Sequence, residues 1–496
     1  MTVIAAFDFG TSSVKLAVAT ADGGVLARAQ AEYATVTGPA GEAEQRADDW
    51  WDAAAAALAE TGLAGSVTAI GLTGQMQDLV AVAGDHALRP VLLYSDTRAA
   101  AQHERLVADL PDWERRTGNQ QDVTNVAAKI AWLRDREPAI LEQAEQLLFG
   151  APGYVAWRAT GAAACDVLTA STTGLLGVAE RAWLNDVANA AGARIAQLPR
   201  LVGVTPGDTV IGLVTAATAA VLGVPAGIPV VHAMGDAGST TDGLVGSAPG
   251  DAYLYLGTTG WLAAVTPAGA DSLAAAAVSP IHSLVLPGWD ARLRIGAVQS
   301  AGAAADWSRR TFFPGHDFAA IETRIAERLA DPASFAARPL CLPGISGERT
   351  PVRDADFRGA FVGVTEATRP EDLHLAVLTG VALALRHAAD ELGIRQPRIP
   401  LVGGAATSSA WRQILADVFD ATIVTRTTHD PGTHSAVRAV TAALGLPTPE
   451  PQFAPSDADV LSRPAPDRER FEPLIATHRR LYDALTPTFH GLARAR

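Results

Sequence analysis

The stretch that decides the fold is IAAFDFGTSSVKLAVA, residues 4–19, in which two apolar runs flank a polar turn. The runs have the β-branched and aromatic content of strands, and the turn contains an acid, a glycine, three hydroxyls and a lysine. A related pattern recurs in DAYLYLGTTGWLAAVT, residues 251–266. Because each copy stands at the front of one half of the chain, we predict two domains of related architecture, residues 1–247 and 248–496.

The length and net charge of the chain indicate how many domains and what kinds of partner to expect. The chain has 496 residues and a net charge of −14, so it is too long for one ordinary core. It also lacks the basic surface that nucleic acid or an anionic membrane would need, and neither is an expected partner. The two cysteines, Cys165 and Cys341, lie outside any CxxC motif, and no basic segment with an apolar core opens the chain. We therefore expect a cytoplasmic protein with reduced thiols.

The order of predicted elements is unusual for an α/β protein. Three strands precede the first helix, which differs from the βαβ series of a simple doubly wound sheet. That helix is DDWWDAAAAALAETG, and we expect Asp48 or Asp49 to begin it and Gly62 to end it. The other predicted elements are a strand over residues 90–98, a helix over residues 369–393, and a strand, glycine turn and helix over residues 398–419.

The turn of the first hairpin has the composition of a phosphate site. Glycine allows close approach of the backbone, hydroxyls add hydrogen-bond donors, and lysine adds a positive charge. The candidate residues are Gly10, Thr11, Ser12, Ser13 and Lys15. Asp8, just before them, could bind Mg²⁺ directly or through water. A polar turn that simply faces solvent is the alternative.

Two more glycine-containing turns help to decide whether the first turn binds phosphate or only faces solvent. The second hairpin turn, Gly257, Thr258 and Thr259, favours phosphate binding because two facing turns can hold one polyphosphate from both sides. Gly403 and Gly404 would let a base or ribose approach the backbone, although packing of a helix on a strand explains them equally well. The sequence contains neither the dinucleotide-binding glycine pattern nor a P-loop.

Asp236 follows the apolar run IPVVHAMG at the predicted end of a buried strand. A carboxylate at the C-terminal end of a strand, beside a glycine that gives access, is a common position for a catalytic group. Capping of the following helix is the structural alternative.

Taken together, the motifs resemble the FGGY carbohydrate kinases over nearly the whole chain and in the family's order. They are DFGTSSVK, EQRADDWW, GLTGQM, LYSDTRA, GDAGSTTDG, YLGTTGW, PGISGERTP and LVGGAATSSAWRQILAD. The resemblance implies an α/β protein with two ribonuclease-H-like domains of the actin-type ATPase fold. ATP and a sugar would bind in the cleft between the domains, with Mg²⁺ as the metal ion.

The resemblance also implies roles for individual residues. Asp236 would be the catalytic base, and Asp8 would organise Mg²⁺, with Asp236 also near the metal. The two hairpin turns would contact the triphosphate. The residues expected to hold adenosine are Gly302, Gly403, Gly404, Ala405 and Ser408. Those expected to contact the sugar are Met76, Gln77, Asp78 and Asp236.

The expected reaction is phosphorylation of a primary hydroxyl of a ketopentose, with D-xylulose as the first choice of substrate. Family members that act on this sugar usually have Met-His where this chain has Met76-Gln77, followed by Asp78, so another ketose or polyol is the alternative: L-xylulose, ribulose, erythritol or glycerol. A non-catalytic, actin-like nucleotide switch is the second alternative. A homodimer is a further expectation.

Overall fold

The computed structural model describes residues 2–205, 207–270, 279–456 and 459–495. The strands of the first half are β1 Val3–Phe9, β2 Ser13–Thr20, β3 Val25–Glu32, β4 Val36–Thr37, β5 Ala43–Gln45, β6 Ala69–Gly74, β7 Leu79–Ala83, β8 His86–Ala87, β9 Val91–Leu92, β10 Gln146–Phe149, β11 Ala164–Asp166, β12 Leu176–Gly177, β13 Ala182–Trp183, β14 Arg200–Val202, β15 Val210–Leu213 and β16 Pro229–His232. Those of the second half are β17 Ala252–Leu256, β18 Gly260–Pro267, β19 His282–Val285, β20 Ala291–Val298, β21 Leu340–Leu342, β22 Ala360–Val362, β23 Arg398–Val402, β24 Thr422–Thr425 and β25 Val460–Ser462.

Helices pack on and between the sheets. In the first half they are α1 Ala47–Glu60, α2 Ala100–Asp109, α3 Trp113–Thr117, α4 Val126–Arg136, α5 Pro138–Gln143, α6 Gly150–Thr160, α7 Val167–Ala170, α8 Asn185–Ala191, α9 Ala216–Leu222 and α10 Asp236–Leu244. In the second half they are α11 Gly302–Phe312, α12 Phe318–Ala330, α13 Pro332–Ala337, α14 Pro370–Glu391, α15 Ser409–Phe419, α16 Pro431–Ala443 and α17 Glu472–Ala495.

The main sheet of the first half has the strand order β15-β16-β6-β1-β2-β3. β1, β2 and β3 form an antiparallel meander, and β6 and β16 run parallel to β1. Side chains alternate along β1, so that Ala5, Phe7 and Phe9 join the core beneath α1 and α6, while Ile4 and Ala6 point to the opposite face. Burial on both faces explains why this strand is apolar almost throughout.

The main sheet of the second half repeats the arrangement. Its order is β19-β20-β18-β17-β23-β24-β25, in which β17 and β18 form the hairpin and β23 and β24 run parallel to β17. The long helix α14 lies in the core of this half with α11, α12 and α15 against it. The predicted fold, two ribonuclease-H-like domains of the actin-type ATPase class, is confirmed.

One helix crosses between the halves. α16 belongs to the second half by sequence, yet it packs on β1 and β6 of the first sheet and against α10. Ala436, Val437 and Val440 of α16 cover Ile4 and Val231. The boundary between residues 247 and 248 stays a prediction, because this contact joins the two halves structurally.

Two sequence-based expectations are changed in detail. The first helix begins at Ala47, one residue before the acids named as its start, and the position preceding it is Arg46; Asp48 and Asp49 lie in its first turn. The strand predicted over residues 90–98 is limited to Val91–Leu92, and turns follow it. Both cysteines are buried and free of disulfide bonds. Within the described ranges, no helix is long and apolar enough to cross a membrane.

Candidate active site

The candidate active site lies where three parallel strands of the first sheet end together. Asp8 of β1 is opposite Thr73 of β6 in the register, and His232 of β16 is opposite Leu72. The segments that follow β6 and β16 therefore leave the sheet at the same edge. This explains how residues 76–78, Asp8 and Asp236, far apart in sequence, come to one place.

Asp236 is the first residue of α10, and the capping position before it is Gly235. The capping alternative for Asp236 is therefore wrong, although its Oδ1 accepts a hydrogen bond from the amide of Ala237 at 2.7 Å. The residue is exposed to solvent. It is thus available to a ligand.

The carboxyl groups of Asp236 and Asp8 both have raised pKa values. Loss of hydration raises the pKa of Asp236 to about 7, and the negative charge of Asp8 adds to this effect. Because the Asp236 side chain is also exposed, we expect water to screen part of the shift. Burial raises the pKa of Asp8 to about 6, while the nearby charge of Lys15 acts in the opposite direction. Two acids with raised pKa values at one strand edge are typical of a catalytic site.

Contacts from distant segments hold the loop before Asp236. The hydroxyl of Thr73 donates to the carbonyl oxygen of Met234 at 2.6 Å, and Asp166 Oδ1 accepts from the amide of Gly235 at 3.2 Å. The side chain of Met76 lies so close to Gly235 that a Cβ there would be 2.3 Å from its Sδ. Met76 therefore lies directly beside the loop that carries Asp236, as expected for a residue of the site. Asp166 was not identified from the sequence, because no motif marks it.

Gln77 and Asp78 differ in their surroundings. Gln77 adopts a left-handed backbone conformation with φ of 64°, and its side-chain amide donates to the carbonyl of Thr172 at 2.6 Å. Asp78 is fully buried, and its Oδ1 accepts from the amide of Tyr94 at 2.8 Å. This burial argues against direct contact of Asp78 with a sugar and indicates that it supports the loop.

Lys129 is a buried partner of this loop that sequence analysis missed. It is fully buried on α4, and its Nζ donates to the carbonyl of Gln77 at 2.8 Å. Burial lowers the pKa of the Lys129 amine and raises that of the Asp78 carboxyl, while their mutual attraction opposes both shifts. The pair thus holds the segment that carries Met76 and Gln77 in place from the protein interior.

In the first hairpin turn, Thr11 and Ser12 are exposed, whereas Ser13 is buried and accepts a hydrogen bond from Gln30 Nε2 at 3.0 Å. The amide of Gly10 donates to the carbonyl of Ser13 at 3.0 Å, which closes the turn. Thr11 and Ser12 are therefore exposed towards a phosphate, although the Thr11 hydroxyl also lies 3.0 Å from the Tyr94 hydroxyl, and Ser13 is directed elsewhere.

Lys15 forms an ion pair across the two halves, with its Nζ 3.2 Å from Asp430 Oδ1. Asp430 immediately precedes α16. This pairing could not be predicted from the sequence, because the two residues are more than 400 positions apart. A ligand phosphate would have to share the lysine with Asp430 or displace it.

A cavity of about 330 Å³ opens beside the second hairpin turn. Four of the five residues expected to hold adenosine line it, namely Gly302, Gly404, Ala405 and Ser408, together with Gly257 and Thr258 of the turn. Its remaining lining residues are Leu256, Ala305, Asp306, Arg309, Phe318, Glu322, His374, Leu378, Thr407 and Trp411. The structure thus brings the predicted nucleotide residues of the second half together, except for Thr259 and Gly403, which do not line the cavity.

At two of these positions, Gly302 and Gly403, the packing of the backbone itself requires glycine. A Cβ on Gly302 would lie 2.3 Å from the carbonyl oxygen of Gly257, so α11 can begin this close to the hairpin only with glycine there. Gly403 has φ of 97°, and a Cβ would lie 2.5 Å from the carbonyl of Leu256. Gly404, in contrast, has open space where a Cβ would be, and it faces the cavity.

The site fits a magnesium ion bound together with a ligand better than a resident metal. Among the residues that the structure describes, no group of three or more His, Cys, Asp and Glu side chains could hold a metal ion. Asp8 and Asp236 offer carboxylate oxygens, which Mg²⁺ prefers, and this ion commonly takes its remaining ligands from water and substrate phosphates.

The chain is similar to known proteins over almost its whole length. Models of the FGGY family of carbohydrate kinases match residues 3–243 with the N-terminal domain and residues 252–443 with the C-terminal domain. The xylulose kinase of Escherichia coli K12 is 32% identical, over 97% of this chain and 98% of its own length. That of Klebsiella pneumoniae is 30% identical, over 94% and 96%. The crystal structure of xylulose kinase from Rhodospirillum rubrum superposes with a TM-score of 0.84 at 25% identity, covering 98% of this chain and all of that one.

Proposed function

The chain belongs to the FGGY family of carbohydrate kinases, and on that premise we propose that it transfers the γ-phosphoryl group of ATP to the primary hydroxyl of D-xylulose. The product would be D-xylulose 5-phosphate. The choice of sugar is supported by relatives at 32% and 30% identity that are xylulose kinases. Family membership also favours the kinase over the non-catalytic nucleotide switch considered above.

The observation that carries the proposal is the position of Asp236. It is exposed at the start of α10, near Asp8, and its raised pKa suits a group that must accept a proton near neutral pH. In phosphoryl transfer the transition state is loose, so the base mainly orients the sugar hydroxyl and accepts its proton late. The amide of Ala237, bonded to Oδ1, keeps the carboxylate in one orientation.

The remaining machinery would bind and position the triphosphate. We propose that Thr11 and Ser12 of the first turn and Thr258 of the second contact its phosphates from opposite sides of the cleft. Asp8 and Asp236 would hold Mg²⁺, which neutralises charge on the phosphate oxygens when it is bound. Closure of the two halves would exclude water that could otherwise accept the phosphoryl group.

Selection among sugars is proposed to involve Met76 and Gln77. The side-chain nitrogen of Gln77 already donates to the carbonyl of Thr172. The side-chain oxygen of Gln77 therefore remains as an acceptor for a sugar hydroxyl. A histidine at this position could instead donate from a ring nitrogen. A site that pairs one particular hydroxyl rejects sugars in which that hydroxyl is missing or inverted.

A substrate panel tests the proposal. Sugar-dependent ADP release is measured by a coupled assay with D-xylulose, L-xylulose, D-ribulose, L-ribulose, erythritol, xylitol and glycerol, and kcat/KM is compared. We expect D-xylulose to lead. Another sugar in first place would correct the substrate, and ADP release that is the same with and without any sugar would contradict the kinase. If Gln77→His leaves the ranking unchanged, Gln77 does not set the selectivity.

Two further expectations stay predictions: a homodimer, which light scattering would test, and a location in the cytoplasm.

A further inference from the structure

The cavity beside the second hairpin has a phosphate end and an opposite end. The amide of Gly302 donates to the carbonyl of Gly257 at 2.8 Å, and the amide of Ala303 donates to that of Thr258 at 3.0 Å. Helix α11 therefore begins at the proposed phosphate turn. Ser308 lies six residues farther along this helix, which corresponds to about 9 Å at 1.5 Å per residue. The level of Ser308 is thus where a nucleotide base would lie.

His374 of α14 meets Ser308 at this level. Its Nδ1 is 2.7 Å from the Ser308 hydroxyl oxygen, and the same hydroxyl donates to the carbonyl of Ala305 at 2.8 Å. A serine has one hydrogen, so both contacts are hydrogen bonds only if His374 donates from Nδ1. Burial lowers the pKa of His374 to about 4, which keeps the ring neutral. Its Nε2 then carries a free lone pair.

This second nitrogen has no partner within the described part of the protein. His374 is 1% exposed and lines the cavity, and its one hydrogen bond in the structure is the one to Ser308. Because His374 lines the cavity, this nitrogen faces space that a ligand would fill, and a ligand donor at that point would replace water as its partner. The aliphatic lining residue Leu378 offers contact area but does not distinguish one purine from another.

We propose that His374 Nε2 accepts a hydrogen bond from the exocyclic amine of adenine and thereby makes the cavity select ATP over 6-oxopurine nucleotides. This inference rests on the proposed use of ATP. Adenine has an amine at position 6, whereas guanine and hypoxanthine have a carbonyl oxygen there. A carbonyl oxygen would bring its lone pairs against that of Nε2, and both acceptors would be left without a hydrogen.

The test measures nucleotide binding directly by calorimetry, without sugar, so it does not depend on phosphoryl transfer. The ligands are ATP, purine riboside 5′-triphosphate, which lacks only the amine, and inosine 5′-triphosphate, which has the carbonyl. We expect the wild-type protein to bind ATP about five- to tenfold more tightly than purine riboside triphosphate, as one hydrogen bond predicts. Inosine triphosphate should bind more weakly still.

The key variant is His374→Phe, which keeps a ring and removes both nitrogens. In this variant ATP and purine riboside triphosphate should bind within about twofold of each other. His86→Phe, at an exposed histidine of the first half, is the control and should keep the wild-type preference. Ser308→Ala removes the hydroxyl that accepts the hydrogen of His374 Nδ1. The ring hydrogen is then free to move to Nε2, which could donate to the carbonyl oxygen of inosine triphosphate, so the rejection of this nucleotide should become weaker.

The outcomes separate the inference from the proposed function. If the wild-type protein binds ATP and purine riboside triphosphate equally, or if His374→Phe keeps the full preference for ATP, the role of His374 is refuted while the kinase proposal stands. Wild-type protein that binds none of the triphosphates would refute both. If His374→Phe does not fold, the wild-type series and Ser308→Ala decide the matter.

Discussion

Gly243 lies where α10 crosses α16, and a single methyl group there should damage both stability and catalysis. A Cβ on Gly243 would be 2.0 Å from the carbonyl oxygen of Pro431, whereas an ordinary contact is 3.4–4 Å. In Gly243→Ala the two helices must therefore separate by more than about 1 Å. Overpacking of this kind lowers the free energy of unfolding by about 1–3 kcal/mol. Replacing glycine by alanine inside a helix raises it by only about 1 kcal/mol. We therefore expect a net loss of stability.

The displacement would reach the active site directly. Pro431 is followed by Gly432, whose backbone lies against the Asp8 carboxylate, and it is preceded by Asp430, the partner of Lys15. Misplacement by about 1 Å can cost about 10²-fold in rate, so we expect kcat/KM to fall by about ten- to a hundredfold. Thermal unfolding and the coupled ADP assay measure the two effects.

The matched control is Gly491→Ala, at a helical glycine of α17 with open space around the new methyl group. It should unfold at the same temperature as wild type or slightly higher, with kcat/KM unchanged. If Gly243→Ala behaved like this control, the crossing of α10 and α16 would not be as tight as the structure indicates, and the reasoning would fail.

Three other predictions concern the proposed chemistry. Asp236→Asn should lose at least about two orders of magnitude in kcat while calorimetry still shows ATP binding, because it removes the base and leaves the nucleotide cavity intact; a variant with a third of the wild-type rate would exclude the role. Loss of hydration and the charge of Asp8 raise the pKa of Asp236, water screens part of this shift, and the carboxylate is the active form, so kcat/KM for the sugar should fall as the pH drops from about 7 to about 5; a profile that stays flat down to about pH 5 would contradict this. Small-angle scattering should show a smaller radius of gyration with sugar and a non-hydrolysable ATP analogue than without them, because both halves contribute to the site; an unchanged radius would count against closure.

The sequence was most informative where a pattern is local. Apolar, β-branched and aromatic composition identified the strands of both hairpins, because both faces of β1 are buried. Asp236 could be placed at a strand end for the same reason. The start of the first helix was misjudged by one residue, since Asp48 and Asp49 stabilise a first turn as readily as they cap it.

Contacts over long sequence separations could not be predicted in this way. Nothing in the sequence around Lys129 shows that its amine reaches the carbonyl of Gln77, or that Asp166 holds the amide of Gly235. Asp78 was expected to be an available acceptor because it follows two expected sugar contacts, but in the folded protein its side chain is buried. Each of these facts depends on how separate segments pack, and no single segment encodes it.

The position of α16 has a consequence for how the protein is made. Domains generally fold as units while the chain is still being synthesised, at about 5–20 residues per second. The first sheet cannot complete its core in that way, since the surface around Ile4, Ala69 and Val231 is covered by α16, residues 431–443. After residue 247 has been added, that apolar surface would wait roughly 10 to 40 seconds for its cover. A nascent chain in that interval offers a binding surface to chaperones, and an isolated fragment of residues 1–247 would keep it exposed permanently and aggregate.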